Sequence, residues 1–410
     1  MKILFIVCFI FTTSFLSFGQ ERFLTLSSKD SIDNKPQFIT SLGANLKLNG
    51  YYNVFGGLQE SETFNVGAIN VFGTDDTSSL NVDMYQSQIQ WNTVYIRDNG
   101  TSVLAIVEVD FWGGNGHLRL RKAYVETNHW QIGQNWNNFG DEDIWPNIME
   151  WEGPPSGVWV RSPHIKYTNQ FKNNKWEYSF SLEAPITDYV RYGELEPLVE
   201  ETYQNTPDVT AALSYKKDWG HIRFVSLLRK INYKLDDENS SFAGYGVALS
   251  GIYKKNLNNF QFQFTGGKGI TAYLTTIAGF GYDGYPTVND NFNATPAIGG
   301  WMSYEYFFSK KWHSNVVFGY TDFNLDNVKR YILVDGLDNP EIYSAGDVVH
   351  THYYGIVNVM YEAFERMTFG LELDYGVKQL EANGEVNNQF VALNQKRDAM
   401  RISFGFMFYF

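Results

Sequence analysis

Apolar and polar residues alternate one for one along most of this chain. From Trp176 to Glu183, Trp176, Tyr178, Phe180 and Leu182 oppose Glu177, Ser179, Ser181 and Glu183. A period of two belongs to an extended strand with two different faces. A similar beat begins at Leu46, where Leu46, Leu48, Tyr52 and Val54 alternate with Lys47, Asn49, Tyr51 and Asn53. It recurs over Tyr85 to Arg97, Val103 to Phe111, Leu118 to Glu126, Trp130 to Trp136 and Val160 to Tyr167. Beyond Glu183 it returns over Val209 to Lys216, His221 to Ile231, Ala243 to Tyr253, Phe260 to Gly267 and Ala297 to Phe307. Trp312 to Phe323, His350 to Tyr361, Met367 to Lys378 and Met400 to Phe410 complete the series. The pattern predicts about sixteen antiparallel strands, an even number inside the range of outer-membrane barrels.

Connection lengths alternate as well. Those near Asp98 to Ser102, Asn169 to Lys175, Lys217 to Gly220, Lys254 to Asn259, Ser309 to Lys311 and Glu362 to Arg366 are short. Those near Gly56 to Met84, Asn137 to Trp159, Ala184 to Asp208, Lys268 to Pro296, Asn324 to Val349 and Gln379 to Ala399 are long, with a tight Gly113 to Gly116 connection as the exception. The short turns carry Lys216, Lys217, Lys254, Lys255, Lys310 and Lys311, and the long loops carry Asp75, Asp76, Glu194, Glu196, Glu200 and Glu201. Up-and-down membrane barrels have this asymmetry of short periplasmic turns and long outer loops. The last segment sets Met400, Ile402, Phe404, Phe406, Phe408 and Phe410 on one face. Exposed to water, that stripe is an aggregation liability; exposed to lipid, it suits its solvent.

Composition narrows the class. Aromatics reach 17% while mean hydropathy stays at -0.30, the combination produced when lipid-facing and water-facing residues alternate. Lys2 precedes an apolar run from Ile3 to Phe18, with Ser17 and Gly19 placed for cleavage before Gln20, so residues 1–19 are expected to be a signal peptide. Residues 20–44 are expected to form a short periplasmic lead-in and 45–410 the barrel. The only cysteine, Cys8, lies inside the signal segment, which leaves no thiol for disulfides, metal sites or nucleophilic catalysis. A net charge of -13 argues against nucleic-acid binding. No motif for a lipid-face Ser, His and acid constellation appears, and no enzyme activity, cofactor or metal is expected.

The candidate chemistry lies between Leu118 and Thr168. Leu118 and Leu120 alternate with Arg119 and Arg121, which sets two guanidinium groups on one strand face. The loop from Asn137 to Trp159 carries Asp141, Glu142, Asp143, Glu150 and Glu152 among Trp145, Trp151, Pro154 and Pro155. Such a loop, long and rich in large aromatics, is expected to fold into the lumen and face the arginines. His164 and Lys166 share one parity; Arg161 falls off it, and Pro163 is a candidate bulge that resets the alternation. Arg223 and Arg229 sit opposite Ile222, Phe224 and Leu228 and are candidates, with Lys166, to extend the basic wall. Two readings of the arginines stand open: successive weak sites for a permeating anion, or braces against Glu108, Asp110 and the loop carboxylates. A calcium site at Asp141, Glu142 and Asp143 and a metal pair at His350 and His352 are weighed below these.

The segments Leu118 to Glu126 (LRLRKAYVE), Gly133 to Phe139 (GQNWNNF), Gly153 to Gly157 (GPPSG) and Arg161 to Thr168 (RSPHIKYT) resemble the core of the DcaP-like family of outer-membrane porins. The likeness is concentrated in about fifty residues, with weaker agreement in Leu48 to Phe55 and the last strand. It implies a homotrimer of sixteen-stranded barrels in the cell outer membrane and a constriction loop after the fifth strand. It also implies diffusion of small, often anionic, solutes through an arginine-lined eyelet. On it, Arg119, Arg121 and Arg161 correspond to the basic side and the Asn137 to Trp159 loop to the constriction. The chain departs from some members in lacking a long helical amino-terminal extension. The expected partners are the lipid bilayer and lipopolysaccharide, small anionic solutes, and further copies of the chain. The alternative is a structural or enzymatic barrel without general pore activity.

Overall fold

The computed structural model describes residues 22–28, 31–32, 35–56, 58, 62–74, 76–189, 199–235, 238–289, 292–334, 342–386 and 389–410. The expected signal peptide and Asp75, Glu194 and Glu196 lie outside them. Sixteen strands run up and down in chain order: β1 Phe38–Phe55, β2 Gln88–Ile96, β3 Ser102–Asp110, β4 Arg119–Glu126, β5 Trp130–Trp136, β6 Arg161–Phe171, β7 Trp176–Glu183 and β8 Asp208–Lys217. The second half comprises β9 Gly220–Leu235, β10 Glu238–Lys255, β11 Asn258–Lys268, β12 Pro296–Phe307, β13 Trp312–Val334, β14 Ile342–Phe364, β15 Met367–Val386 and β16 Gln389–Tyr409. Each strand pairs antiparallel with the next, and β16 pairs with β1 from Met400↔Phe55 to Tyr409↔Asn45. The ring is therefore closed, and closure removes the sheet edges that an open sheet leaves exposed.

The pleat separates two solvents. Outward-pointing Trp91, Val107, Leu120, Phe224, Phe264, Phe318 and Leu371 are exposed, whereas Lys47, Asn49, Asn53, Glu108, Gln263, Glu305, Glu372 and Arg401 on the inner face are buried. Aromatic pairs gather by the short turns, among them Trp130 with Tyr167 at 5.0 Å, Trp176 with Tyr215 at 4.8 Å and Trp312 with Tyr361 at 4.5 Å. That is the position of an interfacial aromatic girdle. The β6–β7 turn uses left-handed backbone at Lys172, Asn173 and Asn174, with φ of 52°, 59° and 62°. Asparagine adopts that region more readily than most residues.

Three features differ from expectation. First, β1 starts at Phe38 rather than near Leu46, and Arg22–Ser27 pairs beside its lower half from Arg22↔Gly43 to Ser27↔Ile39. Phe410 exchanges two backbone hydrogen bonds with Ala44 at 2.8 and 3.0 Å. The amino-terminal strand thus takes over the ladder of β1 where β16 stops. Second, the expected loops Asn324 to Val349 and Gln379 to Ala399 are largely strand, since β13 runs to Val334, β14 starts at Ile342, β15 runs to Val386 and β16 starts at Gln389. Third, the Arg161–Tyr167 ladder against β5 runs without a register shift, so Pro163 is not a bulge.

The lumen is filled by three loops rather than one. The β1–β2 connection buries Leu58, Phe64, Val66 and Ile69, which join Ile144 and Ile148 of the β5–β6 loop in one apolar cluster. The β11–β12 connection buries Ile270, Tyr273, Leu274 and Ile277 against Phe139 and Val158 in another. Backbone polar groups of these loops find partners across the barrel: Thr275 N donates to Gly157 O at 3.1 Å and Thr276 Oγ1 to Pro155 O at 2.5 Å. Buried loop backbone requires such partners.

Candidate functional site

The β5–β6 loop leaves the wall at Trp136 and crosses to the opposite strands. Glu183 of β7 accepts from Asn138 N at 2.9 Å, Gln263 of β11 from Val158 N at 2.8 Å, and Glu372 of β15 from Met149 N and Glu150 N at 2.8 and 2.7 Å. Asn358 of β14 donates to Asn147 O at 2.9 Å, and Asn147 donates to Glu305 of β12 at 2.7 Å. The inner face of the barrel is thus a rack of acceptors and donors that holds an irregular backbone in place. The Gly153 and Gly157 positions let Trp145 and Trp159 lie on the loop itself, since a Cβ at Gly157 would sit 2.1 Å from the Trp159 indole nitrogen.

Between this loop and strands β1 to β4 and β16 lies a cavity of about 180 Å³. Its cations are Lys47, Arg119, Arg121, Lys122 and Arg161; its acids are Glu108, Glu142, Glu150 and Glu152; its indoles are Trp136, Trp145, Trp151 and Trp159. A bulge concentrates the charge. The β3–β4 ladder pairs Asp110 with Arg119, Val109 with Leu120 and Glu108 with Lys122, so Arg121 is the extra residue and three of four consecutive side chains turn inward.

Two of the arginines are neutralised where they stand. Arg119 meets Asp110 through Nε–Oδ1 at 3.1 Å and Nη2–Oδ2 at 2.7 Å. Arg121 reaches Glu108 at 2.8 Å and Asp110 at 3.0 Å and lies 4.6 Å from the Trp151 ring centre. Lys47 donates to Met149 O at 2.8 Å beside the same indole. Arg161 is different. Its guanidinium lies 4.6 Å from the Trp136 ring centre, its Nη1 is buried without a hydrogen-bond partner, and no carboxylate among the described residues forms an ion pair with it. It reaches the cavity although His164 and Ser162 occupy the inner parity, because it is the first residue of β6 and the chain there is just leaving the loop.

The other predicted residues are placed elsewhere. Arg223 donates to Asn138 O and Oδ1 at 2.7 and 2.8 Å, fastening the start of the loop. Arg229 is enclosed by Asp208 at 3.3 Å, Asp283 at 3.1 Å and Gly269 O at 2.8 Å, with Ile186 O as a further partner, and fastens the β11–β12 loop. Lys166 faces the lumen within electrostatic range of Glu142. Asp141 accepts from His221 at 2.9 Å and Ser250 at 2.5 Å; burial disfavours its charge, but His221 and Arg223 outweigh that and hold its pKa below the usual carboxylate range. Asp143 is exposed and Glu142 faces the cavity, so the three do not converge as oxygen ligands on one point. A ligand atom from each of Asp141, Asp143 and His221 falls within 4.8 Å of the others, which replaces an all-oxygen set by a mixed one. His350 and His352 stack on Phe323 at 4.4 and 6.0 Å. Glu152 has its pKa pushed up to about 7, by burial first and then by the neighbouring Glu150.

Lys47, Lys122 and the indoles Trp136 and Trp159 were not among the sequence candidates. Lys47 had a signal, its place on the polar face of the first strand. Lys122 depends on the bulge, and the indoles on how the loop folds.

No family model and no curated relative matches the sequence. Solved structures match the fold. The outer membrane channel DcaP of Acinetobacter baumannii is similar with a TM-score of 0.66 and 17% identity, over 93% of this chain and 99% of that one. An anion-selective porin from Comamonas acidovorans is similar with a TM-score of 0.55 and 8% identity, over 91% and 100%. The trimer form of OmpT, an outer membrane protein of Vibrio cholerae, gives 0.53 and 9%, over 91% and 99%. The fold of this chain is therefore the closed antiparallel barrel of outer-membrane channels, in agreement with the resemblance carried by LRLRKAYVE and its companion segments.

Proposed function

We propose that the protein is a passive diffusion channel of the outer membrane for small hydrophilic anions, acting as a homotrimer. The observation that carries this is the cavity in which a pinned loop faces a wall bearing Lys47, Arg119, Arg121, Lys122 and Arg161. The likeness to an anion-selective porin and to a trimeric outer membrane protein adds support. Asp110 and Glu108 neutralise Arg119 and Arg121, so the uncompensated positive field arises mainly at Arg161. Conduction requires attraction weak enough to release the ion, and partly compensated cations provide that. The apolar outer face suits the lipid bilayer with its lipopolysaccharide leaflet.

The test is single-channel conductance and reversal potential in a planar bilayer under a salt gradient, with Arg161 changed to glutamine in parallel. Stepwise conductance with an anion preference that weakens in the variant supports the proposal. Cation preference keeps the channel and transfers control to Glu142, Glu150 and Glu152. A second reading, a structural barrel without general permeability, is favoured by the apolar clusters that three loops build inside the lumen; a folded barrel that passes no current establishes it.

A further inference from the structure

The cavity holds more than an anion site needs. Trp136, Trp145 and Trp159 follow one another along its wall with ring centres 5.7 and 4.4 Å apart, and Trp301 continues the row 6.0 Å beyond Trp159. Arg161 stands at one end of this row, over Trp136. The same cavity is lined by hydrogen-bonding groups of both kinds: the carboxylates of Glu142 and Glu152 and the amides of Gln88 and Gln90. A chloride or phosphate ion uses the guanidinium and leaves the indoles idle. A flat aromatic carboxylate uses both but brings no donors for Glu142 and Glu152. A sugar acid matches the whole lining. Its carboxylate pairs with a guanidinium in a planar fork, the C–H face of its ring lies on the negative face of an indole, and its hydroxyls donate to carboxylates and accept from amides.

We propose that this cavity is a transit subsite for acidic saccharides, with the uronate carboxylate on Arg161 and the pyranose ring against Trp145 and Trp159. The inference rests on the channel reading and specifies its solute. The volume of about 180 Å³ lies below the roughly 300–1,000 Å³ of pockets that enclose drug-sized ligands, so one ring is held at a time and an oligomer passes ring by ring.

The test uses the full protein in a planar bilayer, with trigalacturonate added to one side and gluconate, an open-chain sugar acid of the same charge per carboxylate, as the control. Transient blockades by trigalacturonate that gluconate does not produce are expected, with residence times shortened about tenfold in Trp145→Ala. Arg161→Gln should shorten them as well while leaving neutral maltotriose unaffected, and Trp145→Phe, which keeps an aromatic face and the loop packing, should fall between. Intact anion conductance with equal, featureless responses to trigalacturonate and gluconate overturns the subsite and leaves the channel standing. A barrel without current defeats the channel reading; quenching of tryptophan fluorescence by trigalacturonate in detergent then decides the subsite independently, and its absence overturns it.

Discussion

Arg161 and Trp136 face each other across the first rung of the β5–β6 ladder, with the guanidinium 4.6 Å from the ring centre. A cation over an indole face is held in place without being neutralised. Arg119, by contrast, is fixed by the two hydrogen bonds it donates to Asp110. Arg161→Gln is therefore expected to reduce the anion-to-cation permeability ratio roughly fivefold, corresponding to about 1 kcal/mol of lost attraction in a wet lumen, with little change in conductance or unfolding midpoint. Reversal potentials under a salt gradient measure it, and an unchanged ratio assigns the anion preference to other groups.

The Asp110 carboxylate is fully buried between two arginines, and removing one partner from such an arrangement strands the rest. Asp110→Asn is expected to destabilise the barrel by about 3 kcal/mol, in the range found when a buried pair is broken. Arg119→Ala should cost less, because its side chain is about a third exposed and Arg121 still holds Asp110. Urea unfolding of the two single variants and the double variant, followed by tryptophan fluorescence, yields the coupling; additive effects would show that the pair does not brace the wall.

Glu152 faces the same cavity with its pKa pushed up to about 7, by burial and then by Glu150. A raised carboxyl is neutral below that pKa and negative above it. As pH rises from 6 to 8 the lumen gains negative charge, so anion preference should fall across that window and recover on acidification. In Glu152→Gln the dependence should flatten. Reversal potentials at fixed salt across the range check this, and a profile identical in the variant removes Glu152 from the cause.

Much of the barrel was legible because every membrane-crossing strand has to present different faces to lipid and water. The dyad in Trp176 to Glu183 and the stripe from Met400 to Phe410 record that requirement directly. Above the membrane the requirement lapses. Asn394 to Asp398 on β16 form an unbroken polar run without alternation, so that hairpin looks like a loop although its ladder continues. The inward folds of the β1–β2 and β11–β12 connections were hidden for a related reason. Leu58, Phe64, Val66, Ile270 and Leu274 are buried but follow no period. Within the site, Arg119 and Arg121 could be placed by alternation and Glu108 and Asp110 by strand adjacency. Arg223 and Arg229 share that inward parity, but it does not reveal that Asn138 and Asp283 occupy them; those contacts span 85 and 54 residues.

Glu372 holds the constriction from the far wall. Its two carboxylate oxygens accept from Met149 N and Glu150 N at 2.8 and 2.7 Å, and Asn358 donates to it at 2.9 Å. A buried donor that loses its acceptor costs about 1–3 kcal/mol, so this one side chain supplies much of the anchorage of the loop midpoint. In Glu372→Ala the two amides lose their acceptors, and the segment around Met149 should sample positions away from β15. The expected outcome is a noisier channel with altered mean conductance and faster proteolysis within 145–155, while the barrel keeps its unfolding midpoint to within a few degrees. Glu372→Gln retains a carbonyl acceptor and should fall between the two. Quiet, wild-type currents in Glu372→Ala would mean that Gln263, Asn358 and the apolar contacts of Ile144 and Ile148 suffice to hold the loop, and that its position does not depend on the carboxylate.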